Sequence, residues 1–299
     1  MSRIKYCFII LLVVIFVFPS NMVKAKAITT VSQDVNMSTW IWDTAKISKD
    51  SDKIIKFLVS NKVKTVYLQI DTSLGNKIYR EFIQKAMKNN INIYALDGSS
   101  EWVGSKGVQL QENFFAWFTQ YQKSSSKNQL FKGVHLDVEP YLNSNYNVNP
   151  NLVIENYQQY LIKSKEKCTT LGVEFSIDIP FWFDKVNYVT KYGKGNVAEW
   201  ICKNIKAVTI MAYRDKALGD NGIIKISEAE INLCKKYNVK VTLGVETNKI
   251  AGDASLTFYE EGKAYMLNEL NTVSLKYKNN SAFEGLAIHY IDSWMNLKK

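Results

Sequence analysis

Cysteine is scarce in this chain of 299 residues: there are four, and only Cys168, Cys202 and Cys234 lie beyond the first segment. An odd, sparse set of this kind, each in a stretch with helical spacing, argues against a disulfide framework. No Cys-x-x-Cys or His-x-x-x-His spacing occurs, so no zinc site is defined, and no cofactor is expected. No glycine-rich phosphate loop follows the first strand-like stretch, which excludes a dinucleotide fingerprint. Arginine nowhere clusters. The positive charge is spread through lysine-rich segments such as Lys123 to Lys132 and Lys235 to Lys240. That pattern suits solubility rather than a charge-neutralising groove, so no nucleic-acid partner is expected.

A long apolar run is also missing. The stretch from Tyr6 to Phe18 follows Arg3 and Lys5 and ends at Pro19, short of the roughly 20 apolar residues a bilayer core requires. It reads as a secretory signal peptide over residues 1–27, with small residues at the cleavage site. An uncleaved anchor is the alternative, and no cysteine is placed for lipidation. Cleavage after Ala27 removes Arg3, Lys5, Lys24 and Lys26 and no acid, which lowers the formal charge from +10 to +6. The reading implies a protein outside the cell or associated with its wall, where the remaining charge allows weak adhesion to anionic polymer.

From residue 28 to 299 no shift in composition marks a boundary, so one domain is expected. Strand patterns cover Ser38 to Asp43, Lys64 to Asp71, Ile91 to Asp97, Gly133 to Glu139, Val173 to Phe183, Ala207 to Tyr213, Val239 to Glu246 and Glu284 to Tyr290. Between them lie amphipathic segments at Asp50 to Asn61, Asn76 to Asn89, Gln111 to Lys123, Asn151 to Leu171, Asn196 to Lys203, Ser227 to Tyr237 and Leu256 to Lys278. Ser227 and Glu230 have capping-box spacing. Alternation of this kind implies a parallel sheet with helical crossovers. Eight units in this length close into an α/β fold of the (β/α)₈ barrel type, with an open doubly wound sheet as the runner-up.

In such a barrel the carboxyl ends of the strands form the active face. Polar and aromatic groups collect there: Gln69, Asp71, Asp137, Glu139, Asp178, Trp182, Tyr213, Asp215, Glu246 and His289. Asp43, Asp97 and Asp292 suit helix starts and turns equally well. In Gly133-Val134-His135-Leu136-Asp137-Val138-Glu139-Pro140 the alternation turns Val134, Leu136 and Val138 one way and His135, Asp137 and Glu139 the other. The apolar side faces the helices and the polar trio points into the barrel. Crowded carboxyls hold a proton more tightly, as a general acid requires. Successive ligands on one straight strand converge poorly on one ion, so no metal is assigned to the trio.

The segment Gly133 to Glu139 resembles the strand-four motif of the chitinase-like glycoside hydrolases, family eighteen. Met211-Ala212-Tyr213 is similar to that family's strand-six motif, and Gly285 to Asp292 resembles its last strand. The resemblance implies an N-acetylated glycan substrate of the chitin, peptidoglycan or N-glycan kind. It implies Glu139 as acid and base, Asp137 as the partner of a substrate acetamido group acting as internal nucleophile, and Tyr213 as a hydrogen-bond donor to that group. Three positions depart from the pattern: His135 stands for an acid, Arg214 for an acid, and His289 for the family's floor tryptophan.

Other readings stay open at this point. Glu139 and Glu246 end strands four and seven, where many retaining glycosidases of this fold carry acid and nucleophile, about 5 to 5.5 Å apart. A barrel that binds glycan without cleaving it is the non-enzymatic alternative. His135, Gln69, Asp178, Trp182, Asp215, Glu246 and His289 are expected to line the substrate site of a monomer whose partner is a polysaccharide or oligosaccharide. Trp40, Trp42, Trp102 and Trp294 also sit near strand ends, where ring faces can stack on sugars. Phe114, Phe115, Trp117 and Phe118 follow helical spacing and belong to the core.

Overall fold

Eight parallel strands close on themselves in sequence order in the computed structural model, which describes residues 35–299. They are β1 (Asn36–Ile41), β2 (Val63–Gln69), β3 (Asn92–Asp97), β4 (Gly133–Leu136), β5 (Glu174–Pro180), β6 (Ala207–Met211), β7 (Lys240–Glu246) and β8 (Phe283–His289). Every strand pairs with its sequence neighbour, and β1 closes the ring by pairing Asn36 with Gly285 of β8. The chain is a (β/α)₈ barrel. The signal-peptide segment at 1–27 lies outside the described residues, as does the start of the barrel domain at 28–34.

Burial explains why these residues form strands. Val134, Leu136 and Val138 join the large apolar shell between the strands and the helices. Trp40, Tyr67, Leu96 and Ala287 form a separate cluster inside the ring. Phe114, Phe115 and Phe118 are buried along the helix Gly107–Ser124, with Trp117 packed beside them. Trp102 and Trp294, expected near a sugar, are core instead: Trp102 packs on Phe114 and Tyr160, and Trp294 on Phe57.

Several boundaries differ from the periodicity for local reasons. β4 ends at Leu136, three residues before Glu139, whose backbone (φ −98°, ψ 84°) has left the extended conformation where Pro140 opens a short turn. The Ser227 hydroxyl does not cap the helix that follows. It donates back to the Ile223 carbonyl at 2.7 Å, and Glu230 instead accepts from the Asp184 amide at 3.1 Å. The last long helix runs over Lys263–Tyr277, starting after Gly262, whose φ of 89° no helical residue adopts. A hairpin, Asn187–Thr190 with Gly193–Asn196, is inserted between β5 and the next helix. The Cys202 and Cys234 sulfurs meet at 3.2 Å between two helices.

At the amino ends of the strands, opposite the acids, lies a polar cavity of about 350 Å³, lined by Tyr67, Ser176, Thr209 and Thr242 with Lys64 and Lys132 at its rim.

Candidate active site

Glycine makes the junction between β3 and β4 close. Gly98 follows β3 with φ +135°, and a Cβ there would lie 2.3 Å from the Asp137 carbonyl oxygen. The Asp137 amide donates to the Asp97 carbonyl at 3.0 Å, so Asp137 continues the β4 line for one residue past the strand. Its side chain turns inward, and its Oδ1 is buried without a hydrogen-bond partner. Burial, then the charges of Asp178 and Glu139, raise its carboxyl well above the ordinary range. A proton on Asp137 relieves all three costs.

Glu139 is half-buried at the mouth. Burial holds its carboxyl above the ordinary range, although the Tyr141 hydroxyl, donating to Oε1 at 2.5 Å, works against the shift. Tyr141 is itself wedged against Trp182, with ring centroids 4.8 Å apart. Trp182 thus stands beside the acid through an aromatic neighbour, two residues past the end of β5 rather than on the strand.

Tyr213 follows β6 by two residues. Burial raises its phenol far above the ordinary value, and the charges of Asp178, Glu246, Asp137 and Glu139 add to that. Four carboxyls therefore lie around one tyrosine, and all four are strand-end acids that the sequence singled out. Its ring lies 5.7 Å from that of His289.

His289 and Glu246 form one side of the mouth. The Trp42 indole donates to Nε2 of His289 at 2.9 Å, which leaves the proton on Nδ1 to donate to Glu246 Oε2 at 2.7 Å. Glu246 Oε1 accepts from the amides of Thr247 at 2.7 Å and Asn248 at 2.6 Å. Both oxygens of Glu246 are engaged. Its partner is a neighbouring strand end, as the simplest reading of a lone strand-end acid would have it.

His135 and Asp178 lie lower. His135 is fully buried, stacked on Tyr67 at 3.7 Å between centroids, with Nδ1 at 2.7 Å from the Ser176 hydroxyl and Nε2 at 3.0 Å from Asp178 Oδ2. The Trp40 indole donates to the same Asp178 oxygen at 3.0 Å. Both residues, expected to line the substrate site, are buried beneath the mouth.

Gln69 and Asp215 stand at the edges of this group. Gln69 donates to the backbone of Ile70 at 3.2 Å and to Asp97 at 3.4 Å. The Asp215 amide donates to the Ser255 carbonyl at 2.9 Å, and its carboxyl is influenced by Lys216, Asp253 and Arg214 rather than by the central acids. Arg214 turns away, over the Phe181 ring at 5.0 Å and onto Asn221. Asp43 and Asp292 both reach Lys46, at 3.8 and 2.7 Å, and are structural. Among the described residues no group of three or more potential ligands is arranged to hold a metal ion.

Sequence reasoning missed Tyr141, Tyr67 and Ser176. Tyr67 shares the inward parity of Gln69 on β2, a signal that was present. Nothing in the pattern marks Tyr141, because its place depends on the turn at Pro140.

No family model and no curated protein matches the sequence. Solved structures do match in fold. The GH18 chitinase ChiB from the chitin utilization locus of Flavobacterium johnsoniae is 15% identical, with 88% of this chain and 89% of that chain covered and a TM-score of 0.51. A plant class V chitinase mutant from Cycas revoluta in complex with (GlcNAc)3 is 13% identical over 87% and 96% of the two chains, with a TM-score of 0.50. The spore cortex-lytic enzyme SleL of Bacillus megaterium is 12% identical over 88% and 73%, also at 0.50. At these identities the likeness is one of architecture. The chain shares its barrel fold with these chitinases and with SleL.

Proposed function

We propose that this barrel is a glycoside hydrolase acting on a glycan with N-acetylated sugars, working by substrate-assisted retention. The observation that carries the reading is the gathering of two carboxyls with raised proton affinity, Asp137 and Glu139, beside Tyr213 at the carboxyl ends of the strands. Proteins of the same fold include one solved with (GlcNAc)3 and one described as lytic for spore cortex.

In this mechanism protonated Glu139 gives its proton to the glycosidic oxygen as that bond breaks. The carbonyl oxygen of the neighbouring acetamido group closes on the anomeric carbon, forming a cyclic oxazolinium ion. Asp137 accepts from the acetamido N–H and balances the positive charge, while the Tyr213 hydroxyl donates to the acetamido oxygen before it attacks. Ionised Glu139 then takes a proton from water, which opens the ring at the anomeric carbon. Trp42 and Trp182 offer aromatic faces near this point.

The bonding of Glu246 argues against a Glu139–Glu246 double displacement. His289 and two backbone amides donate to the Glu246 oxygens, and three such bonds to one carboxylate draw charge away from the oxygen that would have to attack the anomeric carbon. The proposed setting is a monomer outside the cell or at its wall, with a polysaccharide or oligosaccharide as substrate. The test is product release from chitin oligomers, peptidoglycan and N-glycans by wild type and by Glu139→Gln. Cleavage by the wild type alone is expected. Binding by both with cleavage by neither would make the protein a glycan-binding barrel.

A further inference from the structure

The proposed hydrolysis uses none of the three cysteines beyond the first segment, yet two of them meet. Cys202 lies on the helix Val197–Asn204 and Cys234 on the helix Glu228–Tyr237, both fully buried, with their sulfurs 3.2 Å apart. Cys168, on the helix Pro150–Leu171, is a buried thiol with no sulfur partner among the described residues.

The helices themselves set this approach. On their outer side the Glu199 carboxylate accepts from the Tyr237 hydroxyl at 2.5 Å and from the Lys236 ammonium at 3.0 Å. Glu199 stands three residues before Cys202 and Tyr237 three after Cys234, so each of these pairs shares one face of its helix. A step of three forward on one helix and three back on the other leads from Glu199 and Tyr237 to Cys202 and Cys234. That is the register of two antiparallel helices, and a contact without sulfur already holds it.

The sulfurs of a disulfide stand roughly 2.05 Å apart, so closing the gap takes a movement of about 1.2 Å, on the scale of side-chain rotation rather than of helix displacement. A bridge from 202 to 234 closes a loop that contains all of β6 and, beyond it, Tyr213. Such a bridge stabilises mainly by restricting the unfolded chain, and it ties together the helices on either side of β6.

We infer that Cys202 and Cys234 are a modification site: in an oxidising medium they join as a disulfide that staples the β6 unit, while Cys168 stays a thiol. The reaction is exchange with a small organic disulfide such as oxidised glutathione. One cysteine thiolate attacks that disulfide, forms a mixed disulfide and releases one small thiol. The second cysteine, as its thiolate, attacks the cysteine sulfur of the mixed disulfide and releases the other. The protein gives up two electrons and two protons, and the oxidant is reduced to two thiols. Because both sulfurs are fully buried in the finished barrel, the exchange takes place while the chain folds, before the helices close over them. One bridge with a cysteine left over is still not a framework of bridges. The bond does not depend on glycan hydrolysis, and export only supplies an oxidising setting for it.

The chain is unfolded in urea with reductant and refolded in a mixture of reduced and oxidised glutathione. Free thiols are then alkylated, and a proteolytic digest is read by mass spectrometry without reduction. A peptide pair joined through Cys202 and Cys234 is expected, two hydrogens lighter than the sum of its parts, with Cys168 alkylated. The thermal midpoint of this form should lie about 5 °C or more above that of the same protein kept reduced. Cys168→Ala should keep that difference and Cys234→Ala should lose it. Alkylation of both Cys202 and Cys234 after refolding would overturn the inference, as would a bridge that uses any other cysteine. A correct bridge with no rise in midpoint would remove its part as a staple. If the chain does not refold from urea, the same digest of protein folded in an oxidising secretory compartment decides. Glycan cleavage is measured separately and does not enter the digest, so the bridge and the hydrolase reading can fail independently.

Discussion

The Tyr141 hydroxyl donates to Glu139 Oε1 at 2.5 Å, so the proposed acid is gripped by a residue only two places further along the chain. That bond favours the ionised carboxylate and opposes the upward push of burial on Glu139. Removing it with Tyr141→Phe should raise the Glu139 carboxyl further, by about one pH unit for a charge-assisted bond of roughly 1.5 kcal/mol. Since Glu139 must carry a proton to act as acid, the basic limb of the kcat/KM profile should move to higher pH by that amount. A profile that stays in place would show that the bond does not tune the acid.

Asp137 and Glu246 should part company under substitution. Asp137→Asn removes charge stabilisation of the cyclic intermediate and is expected to lower kcat by roughly 10³-fold on N-acetylated substrate. Glu246→Gln disturbs a group that acts through His289, and a loss on the order of tenfold is expected. Rates on acetylated and deacetylated oligosaccharides measure the contrast. Hydrolysis of an unacetylated sugar that needs Glu246 and ignores Asp137 would refute substrate assistance.

Stability should respond to pH through Glu230. Burial pushes its carboxyl up to about 8, against the Asp184 amide that donates to it. The folded protein therefore binds a proton there that the unfolded chain releases near its ordinary value. This contribution to stability is present at low pH and fades as pH rises towards 8. Glu230→Gln, which keeps an acceptor for the Asp184 amide, should stabilise the protein at pH 8 by on the order of 2 kcal/mol and have little effect near pH 5. Urea unfolding at the two pH values checks the sign.

Gly98→Ala should cost about 3 kcal/mol or more. The φ of +135° disfavours any side chain, and the added Cβ would press on the Asp137 backbone at 2.3 Å. Thermal unfolding reads the loss, and an unchanged midpoint would mean that β3 and β4 separate there at little cost.

Much of this fold is legible from residues alone, for a physical reason. Each barrel strand buries one face against helices, so sets such as Val134, Leu136 and Val138 stand out by alternation. The hairpin Asn187–Asn196 gives no such signal, because its mostly exposed residues, Gly193 and Gly195 among them, bury no continuous face. Ser227 looked like a helix cap because spacing cannot show that its hydroxyl has a carbonyl one turn back. In the site, Asp137 and Glu139 are visible as strand-end acids. The place of Asp178 is not, since it depends on how β4 and β5 line up, which is a property of two strands together.

The flat contact of the Tyr67 ring on the His135 imidazole, at 3.7 Å, has an effect on the barrel as a whole. Tyr67 also lines the cavity of about 350 Å³ at the opposite end. The two rings stand between an upper compartment that holds Asp137 and Glu139 and a lower one whose rim mixes Lys64, Lys132 and Lys240 with Glu174 and Glu284. A change of charge at the lower rim, where Lys132 already pairs with Glu174 at 2.6 Å, therefore meets the upper acids only across this pair of rings.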